Sequence, residues 1–215
     1  MGGVFTPLNL NVYAYTHQDP LRYVDPDGRE ITVKRHLDKS GVWRTDIKFT
    51  AVLTNASSAK LSQKDMASYA RRIEQAIERD YSKTLAKGKE VVTAHADIEV
   101  GTKATGGQHT ISLVDQIAGS KDVLGMAPFG KKDILVNVGL VTGAVSGGGA
   151  SLERTSAHEF GHSANLRHPN DPANALKLLT DNLMSQTQYS SSEKVQFNQV
   201  MEMYKASSSG LLNQP

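Results

Sequence analysis

"AHEFGHSANLRHP", residues 157–169, gathers His158, Glu159, His162 and His168 in one short window of a chain that has seven histidines in all. On an α-helix His158 and His162 stand at i and i+4, so both rings leave the same face about one turn apart. Two imidazole nitrogens at that separation can share one zinc ion at roughly 2.0–2.1 Å each. Glu159 projects to the flank of the pair, where a carboxylate can take a proton from a water at the metal. His168 joins them only if the chain turns, because ten further residues of straight helix would carry it roughly 15 Å along the axis. Asn165 tolerates the left-handed conformation best after glycine, and Pro169 drives His168 out of the helical region. A helix stop, a turn and an extended third ligand thus follow in the order a three-histidine site requires.

Working outward, Ser151 follows the glycines of "SGGGAS" (146–151) and is placed to cap a helix over 151–164, with Glu153 and Arg154 in its first turn. The glycine run lacks the Lys-Ser or Lys-Thr ending of a phosphate-binding loop and reads as a lead-in. Phe160 and Leu166 read as apolar anchors of the helix. Downstream lies "DNLMS", residues 181–185.

The stretch "HEFGHSANLRH" with "DNLMS" after it resembles the metzincin metallopeptidases, whose motif H-E-x-x-H-x-x-G-x-x-H is followed by a methionine turn beneath the metal. Asn165 stands where that family has glycine. The resemblance implies zinc held by His158, His162 and His168, Glu159 as general base, Met184 as the methionine of the turn, and a peptide or protein substrate paired along a sheet edge, for which "DILVNV" (133–138) is the candidate. Some metzincins add a tyrosine two residues after that methionine. Here the position is Gln186, and Tyr189 lies out of register.

The rest of the chain has the periodicity of an α+β domain. "EITVKRHL" (30–37) and "VWRTDIKFTAVLT" (42–54) alternate apolar and polar residues around "DKSG", which predicts a hairpin. Residues 61–86 form the clearest helix, with Ser62 as N-cap, Asp65 three residues on, and Met66, Tyr69, Ile73, Ile77 and Tyr81 at helical spacing; Lys87 and Gly88 are expected to close it. "EVVTAHADIEV" (90–100), "QHTISLVD" (108–115) and "DILVNVGLV" (133–141) read as strands. "SSEKVQFNQVMEMYKAS" (191–207) reads as a final helix, and the "SSSGLLNQP" end as frayed. These elements predict a twisted mixed sheet backed by helix 61–86, then the active-site helix, then a small C-terminal portion carrying His168 and the methionine turn. His17, His36, His95 and His109 have no ligand spacing and read as ordinary core or surface residues.

Residues 1–28 are punctuated differently. "LNVYAY" (10–15), "QDPLRYV" (18–24) and "DPDG" (25–28) are short aromatic pieces cut by turn residues. They resemble the end of the Rhs repeat-associated core, with Asp19 in place of the usual Asn and Arg29 where Leu is frequent. The resemblance implies that 29–215 is the variable toxin domain of an Rhs-type protein, secreted or delivered into a target cell, with a cognate immunity protein as a partner.

Composition narrows the alternatives. The net charge of +2 is slight and well mixed along the chain, as in "RRIEQAIERDYSK", so no nucleic-acid partner is expected. Without cysteine there is no disulfide framework and no thiolate metal site, and any ion must be held by His, Asp or Glu. The opening residues lack a signal-peptide pattern, and the longest apolar run, 134–145, is too short and broken to span a bilayer. Two function classes follow: a zinc endopeptidase, or a binding module in which zinc is present without turnover. Glu159 favours the first, since a structural site has no need of a carboxylate there and commonly fills its fourth position with a protein ligand.

Overall fold

The computed structural model of the chain describes residues 30–85, 88–105, 107–141, 151–171, 182–185 and 195–215. The Rhs-like segment 1–28, the glycines 147–149, Gln186 and Tyr189 lie outside the described residues.

The alternation over 30–54 becomes the expected hairpin. Strand β1 (Thr32–Leu37) runs antiparallel to the first half of β2 (Trp43–Asn55), with Thr32 opposite Lys48 and Leu37 opposite Trp43. At the turn Asp38 Oδ1 accepts the Ser40 and Val42 N–H groups at 2.8 and 3.0 Å, and Gly41 takes φ 78°, the left-handed backbone that glycine adopts without steric cost. The length of β2 organises the sheet. One edge carries β4 (Glu90–Val100) in parallel, while the other carries β1 and then β5 (His109–Val114) end to end. Beyond β5 lie β7 (Asp133–Asn137), parallel, and the two-residue β6 (Gly125–Met126), antiparallel. The order is β3-β4-β2-β5-β7-β6, with β1 pairing β2 off this path. This is a mixed sheet in an α+β fold. The segment "DILVN" is therefore an interior strand, and among the described residues the edge beside the histidine helix is β6. A two-residue strand bounded by Leu124 and Ala127 is too short to show a period of two.

Parallel β2 and β4 need a crossover, supplied by α1 (Gln63–Tyr81). Its capping box forms as the sequence predicts: Ser62 Oγ accepts the Asp65 N–H at 3.1 Å, and Asp65 Oδ2 accepts the Ser62 N–H at 2.9 Å. The helix ends five residues earlier than its expected end at 86. Ser82 turns extended and its Oγ accepts the Ala94 N–H at 2.9 Å, and Lys83–Leu85 become β3, antiparallel to β4 at the sheet's other end. Ladder pairing with β4 outweighs the weak helix preference of Ser82 and Thr84.

On β2, Thr45, Ile47, Phe49, Ala51 and Leu53 are all buried, the alternate residues of a strand with one covered face. Phe49 meets Phe160 of α3 (Leu152–Ser163) at 4.7 Å between ring centroids, and Phe160 meets Tyr81 of α1 at 4.8 Å. Those three rings join sheet, backing helix and histidine helix into one core. A short α2 (Val138–Val141) follows β7, and α4 (Phe197–Ser208) packs on β1, with its Val200, Met203 and Ala206 buried.

The C-terminal residues do not fray. Leu212 is buried, Asn213 Oδ1 accepts the Ile31 N–H at 2.9 Å, its Nδ2 donates to Ile31 O at 3.0 Å, and Gln214 N–H donates to Gly130 O at 2.9 Å. These bonds are made to residues far away in the chain, so local composition gives no sign of them. Among the described residues no helix is long and apolar enough to cross a membrane.

Candidate metal centre

Helix α3 begins as the sequence predicts, with Ser151 Oγ accepting the Arg154 N–H at 3.1 Å. It ends in a complete Schellman turn: Asn165 sits at φ 67°, its N–H donates to His162 O at 2.8 Å, and the Leu166 N–H donates to Gly161 O at 2.8 Å. Asn165 thus occupies the left-handed position that glycine usually fills. The reversal brings His168 back over the helix, and the side chains of His158, His162 and His168 converge.

His168 Nε2 stands 3.1 Å from His158 Nε2 and 3.0 Å from His162 Nε2. Two nitrogens each about 2.0–2.1 Å from one tetrahedral ion are roughly 3.3 Å apart, so the three rings already hold close to the spacing that a shared ion imposes. The opposite ring nitrogens are committed elsewhere. His158 Nδ1 donates to Leu183 O and His162 Nδ1 to Leu166 O, each at 2.7 Å. With the proton fixed on Nδ1, the lone pair on Nε2 faces the shared point, which is the arrangement metal-ligating histidines use. Burial holds His158 down to about 3 and His162 to about 4, with the neighbouring imidazoles adding to the effect, and it also lowers half-buried His168. The rings are neutral at pH 7, the state a metal needs. These three residues form a group that could hold a metal ion.

Residues 182–185 lie beside this cluster. Asn182 Oδ1 accepts the Met184 N–H at 2.8 Å, and the Ser185 N–H donates to Asn182 O at 3.0 Å, closing a tight turn whose Leu183 carbonyl orients His158. Met184 is fully buried against Gly161: a Cβ on Gly161 would lie 2.3 Å from Met184 Sδ and 2.6 Å from Tyr81 Oη. The Tyr81 hydroxyl donates to Ala157 O at 2.9 Å, so α1 is bonded to α3 at the turn before the first histidine.

Glu159 lies in the same cavity of about 440 Å³ as the three histidines. The N–H of Ala127, just beyond β6, donates to its carboxylate, while Oε2 is buried with no hydrogen-bond partner among the described residues. Burial pushes the carboxyl up to about 8. A buried polar oxygen without a partner costs about 1–3 kcal/mol, and a carboxyl kept this way holds its proton at pH 7 until a cation beside it favours the ionised form, which fits a proton-transfer group whose partner arrives with a ligand. Gly125 of β6 makes the approach possible, since a Cβ there would lie 2.7 Å from Glu159 Oε1.

Several supporting residues carry no signal in the sequence. Phe129 sets its ring edge-to-face on His162 at 5.2 Å, and Gly130 N–H donates to His162 O at 3.1 Å. His109, expected to be an ordinary histidine, is fully buried beneath the centre, with Nε2 3.0 Å from Asn213 Oδ1 and Nδ1 3.1 Å from Ser163 Oγ. His36 and His95 are exposed. Comparison with protein-family models and with curated proteins finds no match to this chain.

Proposed function

We propose that this chain is a zinc-dependent endopeptidase of metzincin-like design, acting as the toxin domain of an Rhs-type protein delivered into a target cell. The observation that carries the reading is the convergence of three Nε2 atoms, with their partners at 3.1 and 3.0 Å, beside the Glu159 carboxyl, whose Oε2 is buried with no partner among the described residues.

His158, His162 and His168 would hold the ion. When bound, zinc polarises a carbonyl and lowers the pKa of a coordinated water toward 7. The chain's own groups do the rest. Glu159, ionised when a cation is held beside it, takes the proton of the attacking water on its carboxylate and returns it to the leaving amine, so that water and a peptide bond yield an acid and an amine. The Ala127 N–H keeps the carboxylate in place during both transfers. Strand β6 pairs with β7 on one side only among the described residues, so its other edge offers backbone groups to an extended peptide. Leu183 and Leu166 carbonyls hold the two helix histidines in one tautomer through the cycle.

Glu159→Gln separates this reading from a zinc-containing binding module without turnover. The amide is nearly isosteric and no ligand, so zinc content should remain while hydrolysis of a protein substrate drops by about 10²–10⁴. Expressed in a host cytosol, the wild type should harm growth and the variant should not, and a cognate immunity protein should protect against the wild type. Equal toxicity of a folded, zinc-loaded Glu159→Gln protein would exclude proteolysis as the harmful activity.

A further inference from the structure

We infer that Phe129 and Arg167 form a clasp beside the three histidines that positions the rings of His162 and His168 and governs how long a bound ion is retained; this rests on the metal-centre reading above and deepens it. Phe129 belongs to a turn whose backbone is fixed on two sides. Lys131 N–H donates to Pro128 O at 3.2 Å, and Gly130 takes φ 68°. Gly130 N–H donates to His162 O at 3.1 Å, while its carbonyl accepts the Gln214 N–H at 2.9 Å. Held there, the Phe129 ring stands at 88° to the His162 ring with 5.2 Å between centroids, inside the range where edge-to-face aromatic pairs attract.

Arg167 closes the clasp from the other side. Its Cζ lies over the Phe129 ring, 4.9 Å from the centroid, within reach of a cation–π contact. Nη1 of the same guanidinium donates to Asp171 Oδ2 at 3.1 Å, and Asp171 N–H donates to His168 O at 3.1 Å. In sequence Arg167 sits between two residues that serve the centre. Leu166 O accepts from His162 Nδ1, and His168 supplies the third ring, with its centroid 4.5 Å from that of His162. Stacking Arg167 on Phe129 therefore restrains the partner of one ring and the backbone of another, and does so from a turn that is itself bonded to α3. Phe129 is 41% exposed and the Arg167 side chain 44%. Groups this exposed add little to the core, so their loss should loosen the two rings and leave folding nearly unchanged.

The test follows zinc loss with time from zinc-loaded full-length chain in excess EDTA. Phe129→Leu keeps an apolar side chain without the ring and should release zinc about 2- to 12-fold faster, the worth of an edge-to-face pair. Phe129→Tyr should match the wild type. Arg167→Gln should release zinc about 2- to 5-fold faster, and by a smaller factor in the Phe129→Leu background, because the guanidinium acts through the ring. The visible spectrum of cobalt(II)-substituted protein should change in Phe129→Leu and return in Phe129→Tyr. Release at the wild-type rate in either Phe129→Leu or Arg167→Gln overturns the inference. So does faster release matched by an equal loss of urea stability in the metal-free chain. A metal-free readout separates the clasp from the reading it rests on: the proton signals of the His162 ring should shift in Phe129→Leu, since the ring current of Phe129 is gone. If the wild type takes up no zinc while that shift is present, the metal-centre reading fails and the positioning of His162 by Phe129 stands. Absence of the shift refutes the clasp whether or not zinc binds.

Discussion

Replacing Gly161 with alanine tests whether the turn at Met184 is packed beneath the histidine helix. At an unobstructed position inside a helix, Gly→Ala stabilises by about 1 kcal/mol. Here the new methyl would lie 2.3 Å from Met184 Sδ, 2.9 Å from Met184 Cε and 2.6 Å from Tyr81 Oη. Both neighbours are fully buried, and Tyr81 is bonded to Ala157 O at 2.9 Å, so neither can yield cheaply. Overpacking of this kind costs about 1–3 kcal/mol, and a displaced Tyr81 hydroxyl adds about 1 kcal/mol for its bond. Set against the gain in helix propensity, the net change should be a destabilisation of about 1–3 kcal/mol, or roughly 2–12 °C in Tm for a domain of this size. Pushing Met184 also shifts the Leu183 carbonyl that orients His158, and loss of such an outer partner weakens metal binding about 10- to 100-fold. Urea denaturation of metal-free protein and competitive zinc titration measure the two effects separately. Met184→Ala should cost less in the Gly161→Ala background than alone, since each change relieves the other. A Gly161→Ala protein as stable as the wild type, with unchanged zinc affinity, would refute the packing described here.

His162→Ala should abolish stoichiometric zinc, because two imidazoles hold the ion far less well than three; elemental analysis of purified protein against wild type checks it. Stability should fall with acidification between about pH 6.5 and 4. Burial holds His109 down to about 4 against 6.5 for a free imidazole, so the unfolded chain takes the proton first and about 3 kcal/mol is lost across that window. Metal-free His158 and His162 act in the same sense. Urea midpoints measured from pH 7 to 4 should therefore decline, and His109→Gln should remove about one proton from the slope whatever it does to absolute stability. Asn213→Ala should destabilise by about 2–4 kcal/mol, since it strips partners from the buried backbone of Ile31 and from His109; a change below 0.5 kcal/mol in denaturant titration would show that the tail is not anchored as described.

What the sequence determined by itself was local. Periodicity marked β1, β2, β4, β5 and α1, because a strand or helix with one buried face must repeat every two or 3.6 residues. Cap chemistry set the starts of α1 and α3 at Ser62 and Ser151, where each hydroxyl meets a backbone N–H three residues away. The three histidines that converge were also legible, since two lie one turn apart on the same helix and the third follows a turn whose residues, Asn165 and Pro169, have intrinsic backbone preferences. Tertiary structure decided whatever depends on partners distant in the chain. It ended α1 at Tyr81 by pairing Lys83–Leu85 with β4, and among the described residues it assigned the open edge to β6 rather than to "DILVN". It anchored the tail through Asn213 to Ile31, 182 positions away, and set Arg154 in the cavity wall. Hydrogen bonds and burial of that kind form only after the chain has closed long loops, so their strength lies in the packed whole and leaves no mark on the segments that make them.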